Sequence, residues 1–141
     1  MTVRQLSVRI STEGDSVSRV TRALGESDVD IRGFSVSDSA EHGVLRLIVD
    51  QPSRACEALV HAGMTPCETP VLVVALPDQP GGLAGILKTV AEAGVQIEYV
   101  YSLISTYVVL NVADPAAAEK LLAGSTIRLV DEDEIASGRM S

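Results

Sequence analysis

The sequence predicts an α+β protein built from two copies of one β-α-β-β-α-β unit. Three observations carry this. Apolar residues recur at matching positions in the two halves, strand-like and helix-like patterns follow in the same order, and glycine and proline punctuate both at corresponding places. Placing Gly14 on Pro80, a shift of 66, sets Val20 on Ile86, Leu24 on Val90, Val29 on Val95 and Ile31 on Ile97. Further on, Val49 to Pro52 falls on Val112 to Pro115, a shift of 63. The difference comes out of the hairpin between the second and third strands of the unit.

Each element has a local reason. Leu6, Val8 and Ile10 alternate as a half-buried strand requires. Gly14 breaks that strand, and Asp15 or Ser16 can cap a helix whose face carries Val17, Val20 and Leu24. Val29 and Ile31 open the second strand, with Gly33 placed for a bulge. Ser37 to Gly43 is polar and makes the turn, and Val44 to Val49 is the third strand. Pro52 suits the start of a helix bearing Ala55, Leu59 and Val60, which Gly63 ends. Met64 to Thr69 is the fourth strand, running with little interruption into Val71 to Leu76, the first strand of the second copy. There Leu83, Ile86, Leu87 and Val90 form the helical stripe, ended by Gly94. Val95 to Leu103 and Tyr107 to Val112 form a hairpin around Ser105-Thr106. Pro115 starts a helix with Leu121 and Leu122 inward and Gly124 as its stop, and Thr126 to Val130 is the last strand.

The expected architecture is therefore two ferredoxin-like units, each an antiparallel four-stranded sheet with both helices on one face. The units span residues 1–69 and 70–132. Residues 133–141 are expected as an acidic, flexible tail, and the run Asp131 to Glu134 as a solvated end. Several strands are apolar on both faces: Val44 to Val49 includes Ile48 beside Leu45 and Leu47, and Val71 to Val74 shows no alternation. Strands of that kind need cover on both faces. Packing of the two units and of a second chain is the expected source.

Composition narrows the partners. Of the 141 residues 46% are hydrophobic, and mean hydropathy is +0.26. No apolar run approaches the roughly 18 residues that a membrane helix needs. The opening Met1-Thr2-Val3-Arg4-Gln5 lacks the apolar core of a signal peptide, so a cytoplasmic protein is expected. A net charge of −8 and a pI of about 4.6 argue against nucleic acid and anionic membranes as partners. Aromatic residues make up only 3%, too few for base-stacking platforms. Cys56 and Cys67 have no metal-ligand spacing and are expected as small buried side chains.

The most informative segment is Leu76-Pro77-Asp78-Gln79-Pro80-Gly81-Gly82-Leu83-Ala84. A strand stops, turns through Pro and Gly, and hands over to a helix whose first amides have no internal partner. Those N–H groups and the positive end of the helix dipole favour a carboxylate or phosphate, and glycines allow close approach of a ligand. A turn that only joins strand to helix is the competing explanation. Gly81 to Gly85 is not a phosphate-binding Walker loop, because the Gly-Lys-Ser/Thr ending is absent. No serine lies in a nucleophile elbow. His42, in a turn, and His61, on a helix, have no partner at metal or catalytic spacing. Tyr99 and Tyr101 lie on one strand face, with packing and pocket lining as the two readings. No cofactor, metal or catalytic residue is expected.

The duplicated pattern, with Asp78 to Ala84 followed by Glu92-Ala93-Gly94-Val95-Gln96-Ile97-Glu98-Tyr99, resembles the ACT domain, and the chain resembles small stand-alone proteins made of two tandem ACT domains. The resemblance covers roughly residues 3 to 132. It implies a non-enzymatic regulatory module that binds an amino acid at an interface between ACT units and forms a homodimer or higher assembly. Asp78, Pro80, Gly81, Gly82 and Leu83 match the family's ligand loop, and Gln96 stands where many members have Asn. The first copy departs: Glu13-Gly14-Asp15-Ser16 replaces the Pro-Gly pair and Asp30 replaces the Asn. The second copy is therefore expected to be the better binder. The output is expected to pass through a partner, such as a regulated enzyme. The rival readings are a structural interaction module that has lost its ligand, and an enzyme on the same scaffold.

Overall fold

The computed structural model describes residues 2–11, 16–38, 43–103 and 106–137. The elements run β1 (Val3–Ile10), α1 (Ser16–Glu26), β2 (Ile31–Asp38), β3 (Gly43–Val49), α2 (Pro52–His61), β4 (Cys67–Ala75), α3 (Gly82–Glu92), β5 (Ile97–Ser102), β6 (Tyr107–Val112), α4 (Pro115–Leu122), β7 (Leu129–Val130) and α5 (Glu132–Ala136). The chain divides into two units, Arg4–Thr69 and Pro70–Ser141 with Met1–Val3. Glu13, Gly14, Asp15, His42 and Ser105 lie outside the described residues.

The first unit has strand order β2-β3-β1-β4, with Arg4 of β1 3.9 Å from Glu68 of β4. Both β1 and β2 pair antiparallel with β3, and Leu6 sits opposite Leu47 and Phe34 opposite the same leucine on its other side. The second unit repeats the order as β5-β6-β4-β7, again antiparallel. Seven strands are present among the described residues rather than the expected eight. The fourth strand of one copy and the first of the other are a single strand, β4, because no turn residue interrupts Cys67–Ala75 beyond Pro70.

In the first unit Leu6, Val8 and Ile10 of β1 and Leu45, Leu47 and Val49 of β3 form one cluster with Val20 and Leu24 of α1 and Ala55 and Leu59 of α2. Both helices therefore cover the same sheet face. The second unit does the same with Leu72, Val74, Val108, Leu110 and Val112 under Ile86, Val90, Ala118 and Leu122. Each such side chain contributes roughly 1.5–3 kcal/mol by leaving water. On the opposite faces Ile48, Val71, Val73 and Val109 are also fully buried.

Helices α2 and α3 end as their glycines indicate. After α2, Gly63 takes φ of 86° while Gly63 N–H donates to Val60 O and Met64 N–H to Leu59 O. After α3, Gly94 takes φ of 79°, with Gly94 N–H to Ala91 O and Val95 N–H to Val90 O. These paired bonds satisfy the last helical carbonyls. After α1 the same two bonds form around Asp28, which takes φ of 59° in place of a glycine. The first of these exits delays β4 to Cys67. The last strand is also shorter than expected, because the Ser125 hydroxyl engages Leu122 O and Ile127 N–H and holds the chain in a turn until Leu129.

The acidic end is a correction. Asp131 accepts from Glu134 N–H at 2.9 Å and caps α5, so residues 132–136 are helical. Ile135 is buried to 1% exposure. Glu134 takes a two-point ion pair from Arg128 at 2.8 and 3.0 Å and also accepts from the Tyr107 hydroxyl. The Arg128 guanidinium lies 5.9 Å from the Tyr107 ring centre. These two donors hold the Glu134 carboxyl below the usual carboxylate range, with burial opposing them. The same carboxylate pushes the Tyr107 phenol up.

A group with a depressed folded pKa stabilises the fold fully above its unfolded pKa and loses that contribution as pH falls through the folded value. For Glu134 the loss begins below about pH 4.5. The pair is partly exposed, so its expected worth is only about 0.5–1 kcal/mol. Urea unfolding should show Glu134→Gln losing that amount at pH 7 and progressively less as the pH is lowered below about 4.5. A loss that does not change with pH would contradict the ion-pair account.

Candidate functional site

The loop from β4 to α3 is built by backbone bonds. Ala75 N–H donates to Arg128 O at 3.0 Å and Leu76 N–H to Thr106 O at 2.6 Å, so the strand end is held from both sides. Gln79 N–H then donates to Pro77 O at 2.9 Å, and Gly82 N–H to Gln79 O at 3.0 Å. Gly81 turns the chain at φ of 83°, a conformation that glycine adopts without strain. A Cβ on Gly82 would sit 2.2 Å from Pro77 O. The closed loop itself therefore accounts for Gly82, where the sequence suggested room for a ligand.

Helix α3 starts without a side-chain cap. Gly82 N–H is engaged by Gln79 O and Gly85 N–H by Gly81 O. Leu83 and Ala84 supply the remaining first-turn donors, and no acceptor for either is present among the described residues. Helices α4 and α5 differ: Asp114 accepts from Ala117 N–H and Asp131 from Glu134 N–H. Helix α2 also lacks a side-chain cap, but Pro52 removes one of its donors.

Beside the loop lies an open cleft of about 270 Å³. Pro77, Gln79, Gly81 and Gly82 line one side, Ile86 and Thr89 of α3 another, and Thr126 and Ile127 the third. Of the residues singled out from sequence, only Gly81 and Gly82 line it. Asp78 and Pro80 are exposed on the same loop, and Leu83 is 41% exposed on the first turn. Gln96 is exposed just before β5, the edge strand at the opposite end of the order from β7.

Sequence reasoning did not single out Gln79, Thr89, Thr126 and Ile127. Thr89 had a usable signal, since seven residues from Gly82 is two helical turns along one face. Thr126 and Ile127 had none, because they reach the cleft through the pairing of β7 with β4.

A larger depression of about 390 Å³ lies between α1 and α2, lined by Ala23, Glu26, Arg54, Glu57 and His61. Its wall mixes charges of both signs and contains no part of the loop. Tyr99 and Tyr101 stack at 6.3 Å between ring centres, opposite Asn111 and Val109 of β6. Cys56 is half-buried and Cys67 exposed, so the expectation of two buried cysteines fails at Cys67, on the solvent-facing start of β4. Among the described residues no group of acidic, His or Cys side chains could hold a metal ion, and no helix is long and apolar enough to cross a membrane.

Two β-α-β-β-α-β units, each with both helices over one sheet face, define a tandem α+β protein. A family model for the ACT domain pair matches residues 1–137, and the chain belongs to that family. Among solved structures it is similar to protein BT0572 from Bacteroides thetaiotaomicron, with 26% identity, a TM-score of 0.89 and 96% of each chain covered. It is also similar in fold to the ligand-free regulatory subunit of aspartate kinase from Thermus thermophilus, with 18% identity and a TM-score of 0.59 over 87% of this chain and 91% of that one. The corresponding Thermus flavus subunit gives 17% identity and a TM-score of 0.54, over 85% and 90% of the two chains. No curated protein matches the sequence significantly.

Proposed function

We propose that this ACT domain pair is a non-catalytic, cytoplasmic regulatory protein that binds an amino acid at an interface between ACT units. The observation that carries the reading is the open start of α3, where Leu83 and Ala84 present amides with no acceptor among the described residues. A ligand carboxylate satisfies such donors and the helix dipole together. Asp78, Pro80, Gly81, Gly82 and Leu83 form the ligand loop in this reading, and Gln96 supplies an amide from a neighbouring unit. The fold shared with aspartate kinase regulatory subunits supports a regulatory role, with a regulated enzyme as the partner. Phe34 and Val36, 64% and 50% exposed on edge strand β2, support assembly as a homodimer. Binding regulates only through differential affinity for two arrangements.

A thermal-shift screen against the twenty amino acids tests the reading. A ligand at ~100 times its Kd stabilises the fold by roughly 2.7 kcal/mol. A selective shift that Leu83→Pro abolishes, with the variant still folded, is the expected result; proline is tolerated in a first helical turn and removes the donor. A flat panel on ligand-stripped protein would favour the structural interaction module instead.

A further inference from the structure

The cleft beside the loop carries chemistry that the family match does not assign. Among the described residues, none of the side chains lining it bears a formal charge. Ile86, Ile127 and Pro77 give it apolar walls, and Gln79, Thr89 and Thr126 are its polar groups. The Thr89 hydroxyl donates to Gly85 O at 3.0 Å. Its proton is thereby used within α3, and toward the cleft its oxygen offers acceptor lone pairs. At about 270 Å³ the space falls just below the roughly 300–1,000 Å³ of pockets for drug-sized ligands, which suits an amino acid rather than a nucleotide.

We propose that this cleft, within the second unit, receives the side chain of the amino-acid ligand and selects for an uncharged one. The assignment rests on the amino-acid-binding reading above and adds the selectivity. A charged side chain entering the cleft gives up water and meets no counter-charge, a penalty that an uncharged side chain escapes. A hydroxyl or amide on the ligand can donate to Thr89 Oγ1, so small polar uncharged side chains gain one further bond.

Titration calorimetry of the full chain tests this with serine, threonine, valine and methionine against aspartate, glutamate, lysine and arginine. The uncharged set should bind at least about tenfold more tightly, and Thr126→Trp, which fills the cleft from an exposed turn, should weaken that binding by a similar factor. A melting curve shows whether Thr126→Trp folds. If it does not, Thr89→Val, which keeps the shape and removes the acceptor, should weaken serine and threonine more than valine. Equal binding of charged amino acids overturns the cleft assignment while leaving amino-acid binding intact. So does binding that neither cleft variant weakens but Leu83→Pro abolishes. Failure of every amino acid to bind the wild-type chain overturns both.

Discussion

Gly82→Ala should destabilise the protein by about 2–3 kcal/mol in urea unfolding, the scale of forcing atoms into a packed site. The added carbon would stand 2.2 Å from Pro77 O, and that oxygen already accepts from Gln79 N–H. A backbone atom cannot swing aside as a flexible side chain can, so either the loop or the first turn of α3 must move. Gly85→Ala is the control. Among the described residues nothing outside its own helix backbone lies within 4 Å of its added carbon, and the position is helical. There the lower unfolded-state entropy of alanine should stabilise by roughly 0.5–1 kcal/mol. Similar effects for the two variants would show that the loop does not close on itself as described.

Ile135→Ala should cost about 2–4 kcal/mol, the range for truncating a buried aliphatic side chain. Ile135 is 1% exposed although it lies within seven residues of the end of the chain. Leu121→Ala, at a side chain 54% exposed, should cost far less in the same denaturation series. A loss below about 0.5 kcal/mol at Ile135, the ordinary range for surface positions, would mean that the last helix contributes nothing to the core.

The fold was legible because burial here follows period. Leu6, Val8 and Ile10 alternate and are buried together, and Val20 with Leu24 or Ile86 with Val90 mark one helical face. The chain end was not legible by the same route. Four consecutive acidic residues suggest solvation, and a single apolar residue, Ile135, carries no period. Its signals were of another kind: Asp131 placed to cap, and Arg128 three residues before it to pair with Glu134. The loop was found from Pro and Gly, but the reason for Gly82 was not, since nothing in the sequence says that Pro77 O folds under it. The cleft was half legible. Its loop side lies in one contiguous segment, whereas Thr126 joins it only through a strand pairing about 50 residues along the chain.

The exits from α1 and α3 bear on the history of the two halves. Asp28 and Gly94 stand 66 positions apart, both left-handed, each framed by the same two hydrogen bonds. The bulges of β2, between Ile31 and Gly33, and of β5, between Ile97 and Tyr99, keep the same offset. Side chains at these places have diverged while the backbone path has not. The two copies differ in sequence at Glu13-Gly14-Asp15 and the corresponding Gln79-Pro80-Gly81, while these two exits and these two bulges keep one geometry in both. In this chain the likeness of the two halves is kept in the punctuation of the backbone rather than in the side chains that stand there.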